Sequence, residues 1–195
     1  MSKLIILLIA YSGVIGAHGI VHEQINQISR EMVTHDTAQN RIGRAQLYHM
    51  DGQWMLASQD YSQARELNPE NRSIDFLEAT MWHDAGRPDL ALPLVNRFLK
   101  NQSNHINGLW LRARVLNLLG RSASAIDDYR QVTNSAKRML PEMYLEWAHT
   151  QAVLKPTNLA AVNQIIEQGV EQIGPLGSLQ QYAIQFNRNH HAYQP

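Results

Sequence analysis

The chain has 195 residues, which is long enough for one domain with a substantial core and short for two. Its 17 Lys and Arg residues balance its 17 Asp and Glu residues, so the molecule lacks the positive charge that would attract nucleic acid, and we expect none to bind. The absence of cysteine excludes disulfides, thiolate nucleophiles and zinc–thiolate sites.

Residues 1–19 have the pattern of an export signal. Lys3 precedes the apolar run Leu4–Ala10, and small residues follow it. Ala17-His18-Gly19 is the best cleavage site, with Ile15-Gly16-Ala17 as the alternative. A single-span anchor is the other interpretation, but the uninterrupted apolar stretch is shorter than the roughly 20 residues that a spanning helix needs. We therefore expect cleavage after Gly19 and a periplasmic or secreted protein without a stable membrane span.

One amphipathic helix is predicted directly after the signal. In residues 21–32 the apolar side chains Ile25, Ile28 and Met32 fall on one side. We interpret residues 20–37 as an N-terminal capping helix.

A period of 34 residues organises the middle of the chain. Gly52, Gly86 and Gly120 are 34 residues apart. Four further columns share the interval: Ala45/Ala79/Ala113, Ala57/Ala91/Ala125, Tyr61/Val95/Tyr129 and Ala64/Phe98/Val132. Within each period, apolar residues recur at helical spacing on both sides of the glycine, which suits a helix C-terminus. Each period is therefore predicted to be a helical hairpin. A lone hairpin would expose an apolar face, so we expect the hairpins to stack.

These columns resemble the tetratricopeptide repeat (TPR) family. Counted from Ala38, Ala45 is at the small eighth position, Gly52 at the fifteenth and Pro69 at the thirty-second. The resemblance implies an all-α fold, an α-solenoid of antiparallel helix-turn-helix repeats wound into a right-handed superhelix. The three repeats are 38–71, 72–105 and 106–139. A degenerate fourth hairpin occupies 140–174, where Lys155-Pro156 replaces the turn glycine. A C-terminal capping helix and polar tail, 175–195, complete the chain.

The resemblance also implies where a partner binds. In this family the first helix of each repeat lines a concave groove through its second, fifth, ninth, twelfth and thirteenth positions. An apolar stripe bordered by hydrogen-bonding groups suits a peptide segment. The predicted groove residues are Ile42, Gln46, His49, Phe76, Thr80, His83, Trp110, Arg114, Asn117, Leu145 and His149.

Several of these residues also have a different interpretation. Phe76 and Trp110 are equally compatible with the core between repeats. His49 and His83, which are 34 residues apart, are predicted neighbours that could bind a transition metal or respond to pH. A small-ligand or metal-binding accessory protein is therefore the alternative function.

We expect no catalytic site, cofactor or resident metal. None of the nine histidines lies in a zinc-protease motif, and the chain has no nucleophile elbow, phosphate-binding loop or dinucleotide motif. Asp127-Asp128 is expected on a solvated helix face. The predicted function is a non-enzymatic scaffold of the bacterial cell envelope that binds a partner protein or peptide.

Overall fold

The computed structural model describes residues 19–135, 140–155, 158–174 and 177–191. Within these ranges the chain forms ten α-helices and no β-strand. The first helix, α1, covers residues 19–32. The others are α2 (Ala38–Met50), α3 (Trp54–Leu67), α4 (Ser73–Asp84), α5 (Pro88–Asn101), α6 (Ile106–Leu118), α7 (Ser122–Ser135), α8 (Pro141–Leu154), α9 (Leu159–Ile173) and α10 (Gly177–His191). Residues 1–18 of the expected signal, Pro156 of the fourth turn and the last four residues of the polar tail lie outside the described residues.

The helices belong to two compact units, Met1–Leu94 and Val95–Pro195. In the first unit α2 packs on α3, and α3 packs on α4. In the second unit α6 packs on α7, α7 on α8, α8 on α9, and α10 on both α8 and α9. Within each unit these helices thus pack mainly on their neighbours in sequence, as in an α-solenoid.

The repeated glycines end three helices in the same way. Gly52, Gly86 and Gly120 have φ values of 71°, 68° and 70°, in the left-handed region that glycine adopts without strain. In each turn the next backbone N–H donates to the carbonyl five residues earlier, as from Gln53 to Tyr48 at 2.8 Å. Glycine at this place gives the standard reversal after a helix and fixes the hairpin geometry.

The other columns of the 34-residue period form the core. The six column alanines from Ala45 to Ala125 are completely buried, and each unit adds a buried tyrosine, Tyr61 or Tyr129. Alanine at these points lets two helix backbones approach closely, while the larger side chains fill the adjoining space. The residues that recur every 34 positions are therefore core residues at the contacts between helices.

The helix before the first hairpin packs through the predicted side. Ile25 and Met32 are buried, and the Ile28 methyl lies 3.6 Å from where a Cβ on Gly43 would stand. The Arg44 guanidinium in α2 donates to the Ser29 hydroxyl at 3.0 Å. α1 therefore covers a side of the first hairpin that would otherwise be exposed to solvent.

Buried ion pairs join the two helices of the first and third hairpins. Arg44 donates through Nε to Asp60 at 2.7 Å, and Arg112, 68 residues later, donates in the same way to Asp128 at 2.7 Å. Asp60 and Asp128 are 2% and 4% exposed. The expectation that Asp128 lies on a solvated face is wrong, because Arg112 compensates its burial; the neighbouring Asp127 is exposed.

The second hairpin reverses this charge pattern. At the place of the arginine, α4 carries Glu78, which accepts hydrogen bonds from Ser58 and Arg65 of α3. Arg65 also donates to Asp75 at 2.9 Å. Both acids are buried, so Arg65 connects the first hairpin to the helix that begins the second.

The fourth hairpin consists of α8 and α9. Its second helix, α9, extends to Ile173. Gly169 lies against Tyr144, with 3.0 Å between a built Cβ and the ring, so the glycine allows α8 and α9 to approach closely. The last helix, α10, runs to His191 and buries Leu179 and Phe186.

In the described ranges, no helix combines the length and the apolar character needed to cross a bilayer.

Candidate functional site

The predicted groove residues of the first unit differ in exposure. Ile42 is 6% exposed and belongs to the core, which leaves little of its side chain for a partner. Gln46, one turn later on α2, is exposed. On α4, Phe76 and Thr80 are half-buried, and the Thr80 hydroxyl donates to the Phe76 carbonyl at 2.9 Å. The accessible groove residues of the first unit therefore lie on α4 and in the C-terminal half of α2.

Two histidines of the first unit, His49 and His83, meet at one carboxylate. His49 Nε2 lies 3.1 Å from Asp84 Oδ2, and His83 Nδ1 lies 2.9 Å from Asp84 Oδ1. The His49 ring also packs against Trp54, with 5.6 Å between ring centroids. The predicted proximity of His49 and His83 is thus explained by Asp84, a residue that the sequence argument did not single out.

In this cluster one nitrogen of each histidine lies within hydrogen-bonding distance of the Asp84 carboxylate. Among the described residues, no three His, Cys, Asp or Glu side chains are arranged to hold a metal ion. The nitrogens that face Asp84 are occupied by hydrogen bonds to its two oxygens, so they are directed at the carboxylate.

Trp110 is the aromatic residue among the predicted groove residues of the second unit. It lies on α6, is half-buried, and its indole N–H donates to Glu146 Oε2 on α8 at 2.7 Å. The Arg114 guanidinium lies over the ring, 5.7 Å from its centroid, and its Nε is 3.6 Å from Glu146 Oε1. Glu146 thus holds the indole in place and neutralises the one cation that the sequence placed in this row.

A buried hydrogen-bond chain lies beneath Trp110. The Tyr129 hydroxyl donates to Glu146 at 3.2 Å, and Asn117 Nδ2 donates to the Thr150 hydroxyl at 2.6 Å. Burial, reinforced by the negative charge of Glu146, raises the pKa of Tyr129 well above that of an exposed phenol. Asn117 is therefore oriented by the core and supports the row from below.

The remaining predicted residues are accessible. Leu145 is half-buried beside Glu146, and His149 is exposed on the next turn of α8. We call the surface formed by Trp110, Arg114, Leu145, Glu146 and His149 the α6/α8 face.

Two exposed apolar residues were missed. Met50 and Leu118 are 72% and 58% exposed, at the last residue of α2 and of α6. They are 68 residues apart with the charged Asp84 midway, so the 34-residue period showed no apolar column at this place.

Solved structures share this arrangement of helices. A tetratricopeptide repeat protein from Parabacteroides merdae superposes with a TM-score of 0.73 over 95% of this chain and 75% of its own, at 15% identity. YrrB, described as a TPR protein with an unusual peptide-binding site, gives 0.69 over 89% of this chain and 88% of its own, at 14% identity. The first TPR domain of Spaghetti (RPAP3), bound to the HSP90 peptide SRMEEVD, gives 0.57 over 61% of this chain and 94% of its own, at 16% identity.

At such low identities these likenesses establish the fold, which is an α-solenoid of tetratricopeptide repeats. No family model and no curated protein matches the sequence.

Proposed function

We propose that this chain is a non-enzymatic interaction module that binds a segment of a partner protein on the first helices of its hairpins. Proteins of the same fold bind peptides, as the descriptions of YrrB and of the RPAP3 domain state. A regular array of helices offers an extended surface for such a segment. The chemistry of the accessible residues then decides what binds.

The α6/α8 face carries the proposal in the second unit. The half-exposed Trp110 ring is fixed by its hydrogen bond to Glu146, so little side-chain entropy is lost when a partner covers it. Rigid, partly buried aromatic residues are frequent anchors of interfaces. Because Arg114 and Glu146 neutralise each other, the face favours an apolar partner side chain bordered by hydrogen-bonding groups.

The equivalent surface of the first unit has a similar composition. Phe76 is half-buried, Thr80 and His83 flank it on α4, and Met50 is exposed at the end of α2. We assign this surface the same role, with Met50 as an adaptable apolar contact.

The setting we propose is the bacterial cell envelope, after export and removal of residues 1–19. The basic residue, the apolar run and the small residues of that segment support export. With balanced acidic and basic side chains, the partner is a protein rather than a nucleic acid.

The test is a selection of peptides from a random 12-residue display library with the chain beginning at Ile20. We expect the enriched peptides to share an apolar residue and Trp110→Ala to weaken their binding at least tenfold by fluorescence anisotropy. Ile184→Ala is the matched control, since Ile184 is an apolar residue that is 54% exposed on α10 and does not belong to the α6/α8 face.

Circular dichroism of each variant separates binding from folding. If Trp110→Ala retains its helix signal and binds the selected peptides as the unmodified protein does, the α6/α8 face is not the binding surface. If Trp110→Ala loses its helical signal, Trp110 is a core residue and the assignment is wrong.

A further inference from the structure

A polar pocket lies among α7, α8 and α9 of the second unit, outside the α6/α8 face. Its volume is about 310 Å³, at the small end of the range for ligand sites. Each helix contributes residues about one turn apart, which places their side chains on the same side. The lining residues are Arg130, Asn134, Trp147, Gln151, Ala161, Gln164, Ile165 and Gln168.

The lining is rich in hydrogen-bond donors. Asn134 and the three glutamines each carry an amide NH₂, Trp147 an indole N–H, and Arg130 a guanidinium. None of the described lining residues is acidic. Such a lining suits a ligand with acceptor oxygens and, through Arg130, a negative charge.

Trp147 gives the pocket a specific donor. The residue is 8% exposed, and its Nε1 is buried without a hydrogen-bond partner. A buried donor in this condition has lost its hydrogen bond to water without gaining one in the protein, so a ligand oxygen that accepts from it gains the missing bond. Because neighbouring atoms cover the nitrogen, binding requires side chains at the pocket to change rotamer so that the ligand can reach it.

Arg130 supplies the charge. Its Nη1 donates to Asp127 at 3.0 Å, but both side chains are more than half exposed, so this ion pair is weak. A guanidinium has five N–H donors, and one bond to Asp127 leaves others for a ligand carboxylate.

We propose that this pocket binds a carboxylate, with Arg130 pairing with its charge and Trp147 Nε1 donating to one of its oxygens. Ile165, Ala161 and the Trp147 ring contact a small apolar group next to the carboxylate. The volume admits one amino-acid residue, so the carboxylate belongs to a small acid or to the last residue of a peptide.

The experiment is a titration of ¹⁵N-labelled protein, from Ile20 onward, with N-acetylglycine, N-acetylalanine and N-acetylleucine to about 20 mM. A ligand of this size binds with a dissociation constant of about 1 mM. We expect the indole N–H signal of Trp147, assigned from its loss in Trp147→Phe, to move downfield with at least one of the acids. The matching amides should bind at least tenfold more weakly.

Three variants report on the two donors. Trp147→Phe should weaken binding at least tenfold, whereas Trp54→Phe, the same change in the first unit, should not alter it. Arg130→Gln should remove the preference for acid over amide. Asp127→Asn, which frees the guanidinium, should tighten acid binding two- to threefold, and a merely structural role of Arg130 would not produce that gain.

Comparison with a pentapeptide that ends in the same residue distinguishes the two sources of the carboxylate. If the peptide binds more tightly than the acid, the ligand is a chain terminus. If the two bind equally, the ligand is a small acid. The proposal is overturned if no probe shifts the Trp147 signal, or if acids and amides bind equally. Because Trp110 is unchanged in these variants, the pocket and the α6/α8 face can fail independently.

Discussion

Arg65 is the residue on which the pairing of α3 and α4 depends most. Its guanidinium donates to two buried acids, Asp75 and Glu78, which are 3% and 6% exposed. Removing the guanidinium takes a cation away from two buried carboxylates, which is costlier than losing a surface ion pair. The side chain of Arg65 is itself 28% exposed, so water supplies part of the lost solvation.

We therefore expect Arg65→Met to lower the free energy of unfolding by about 3 kcal/mol, measured by urea denaturation followed by circular dichroism. The control is Arg87→Met, which breaks an ion pair with Asp89 in which both side chains are 53% exposed, and the midpoint should not move. Equal effects of the two changes would show that Arg65 has no special role.

Two buried tyrosines, Tyr61 and Tyr129, should make the protein less stable at alkaline pH. Burial, with a further contribution from Glu78, raises the pKa of Tyr61, as burial and Glu146 raise that of Tyr129. In the unfolded chain a tyrosine ionises near pH 10, so unfolding releases protons above that pH. The contribution of these tyrosines to the free energy of unfolding is thus fully present below about pH 10 and is lost as the pH rises further.

The melting temperature should decline between about pH 10 and 11.5, and the decline should be shallower in the Tyr61→Phe, Tyr129→Phe double variant. The comparison is of slopes, because the double variant also loses the hydrogen bond to Glu146. Parallel slopes would show that other groups control the alkaline transition.

At the scale of the helix, a glycine decides how closely α5 and α6 approach in the second unit. A Cβ at Gly108 would lie 2.8 Å from Phe98 Cε1 and 2.9 Å from Leu99 Cδ2, both on α5. Gly43 in α2 is also helical, but its Cβ would meet only the Ile28 methyl at 3.6 Å, an ordinary contact. The same substitution therefore has opposite consequences at the two positions.

Gly43→Ala should stabilise the protein by up to about 1 kcal/mol, the gain in helix propensity. Gly108→Ala should destabilise it by about 1–3 kcal/mol, because overpacking outweighs that gain. Thermal and urea unfolding measure both. A stabilising Gly108→Ala would indicate that Phe98 and Leu99 have room to move.

For the whole molecule, the low charge and the N-terminal segment make one prediction about location. Within residues 1–19 the only charged side chain is Lys3, so removing them leaves the chain close to neutrality. Expressed from Met1 in a Gram-negative host, the protein should be recovered from the periplasm with a mass that begins at Ile20.

Leu7→Arg, which interrupts the apolar run, should retain the protein in the cytoplasm at its full 22.2 kDa. Recovery of the unmodified full-length chain with the membranes would identify residues 1–19 as a retained anchor.

The repeated parts of the fold were predictable because they depend on local, periodic features. Glycine at a helix end and alanine at a close contact are required once per hairpin, so their spacing is visible in the sequence. The ion pairs are different. Arg112 and Asp128 are 16 residues apart, and a polar pair on two helices has no signature until the helices are aligned.

The candidate site also has features that the sequence predicts and features that only the structure reveals. The sequence by itself determined the hairpins, the buried columns and the helices that offer a surface. Only the tertiary structure decided that Ile42 is buried, that Glu146 fixes Trp110 and neutralises Arg114, and that the Trp147 indole lies at a donor-lined pocket. The reason is physical: burial and charge compensation depend on side chains from other helices, whereas helix formation and turns depend on neighbours in the chain.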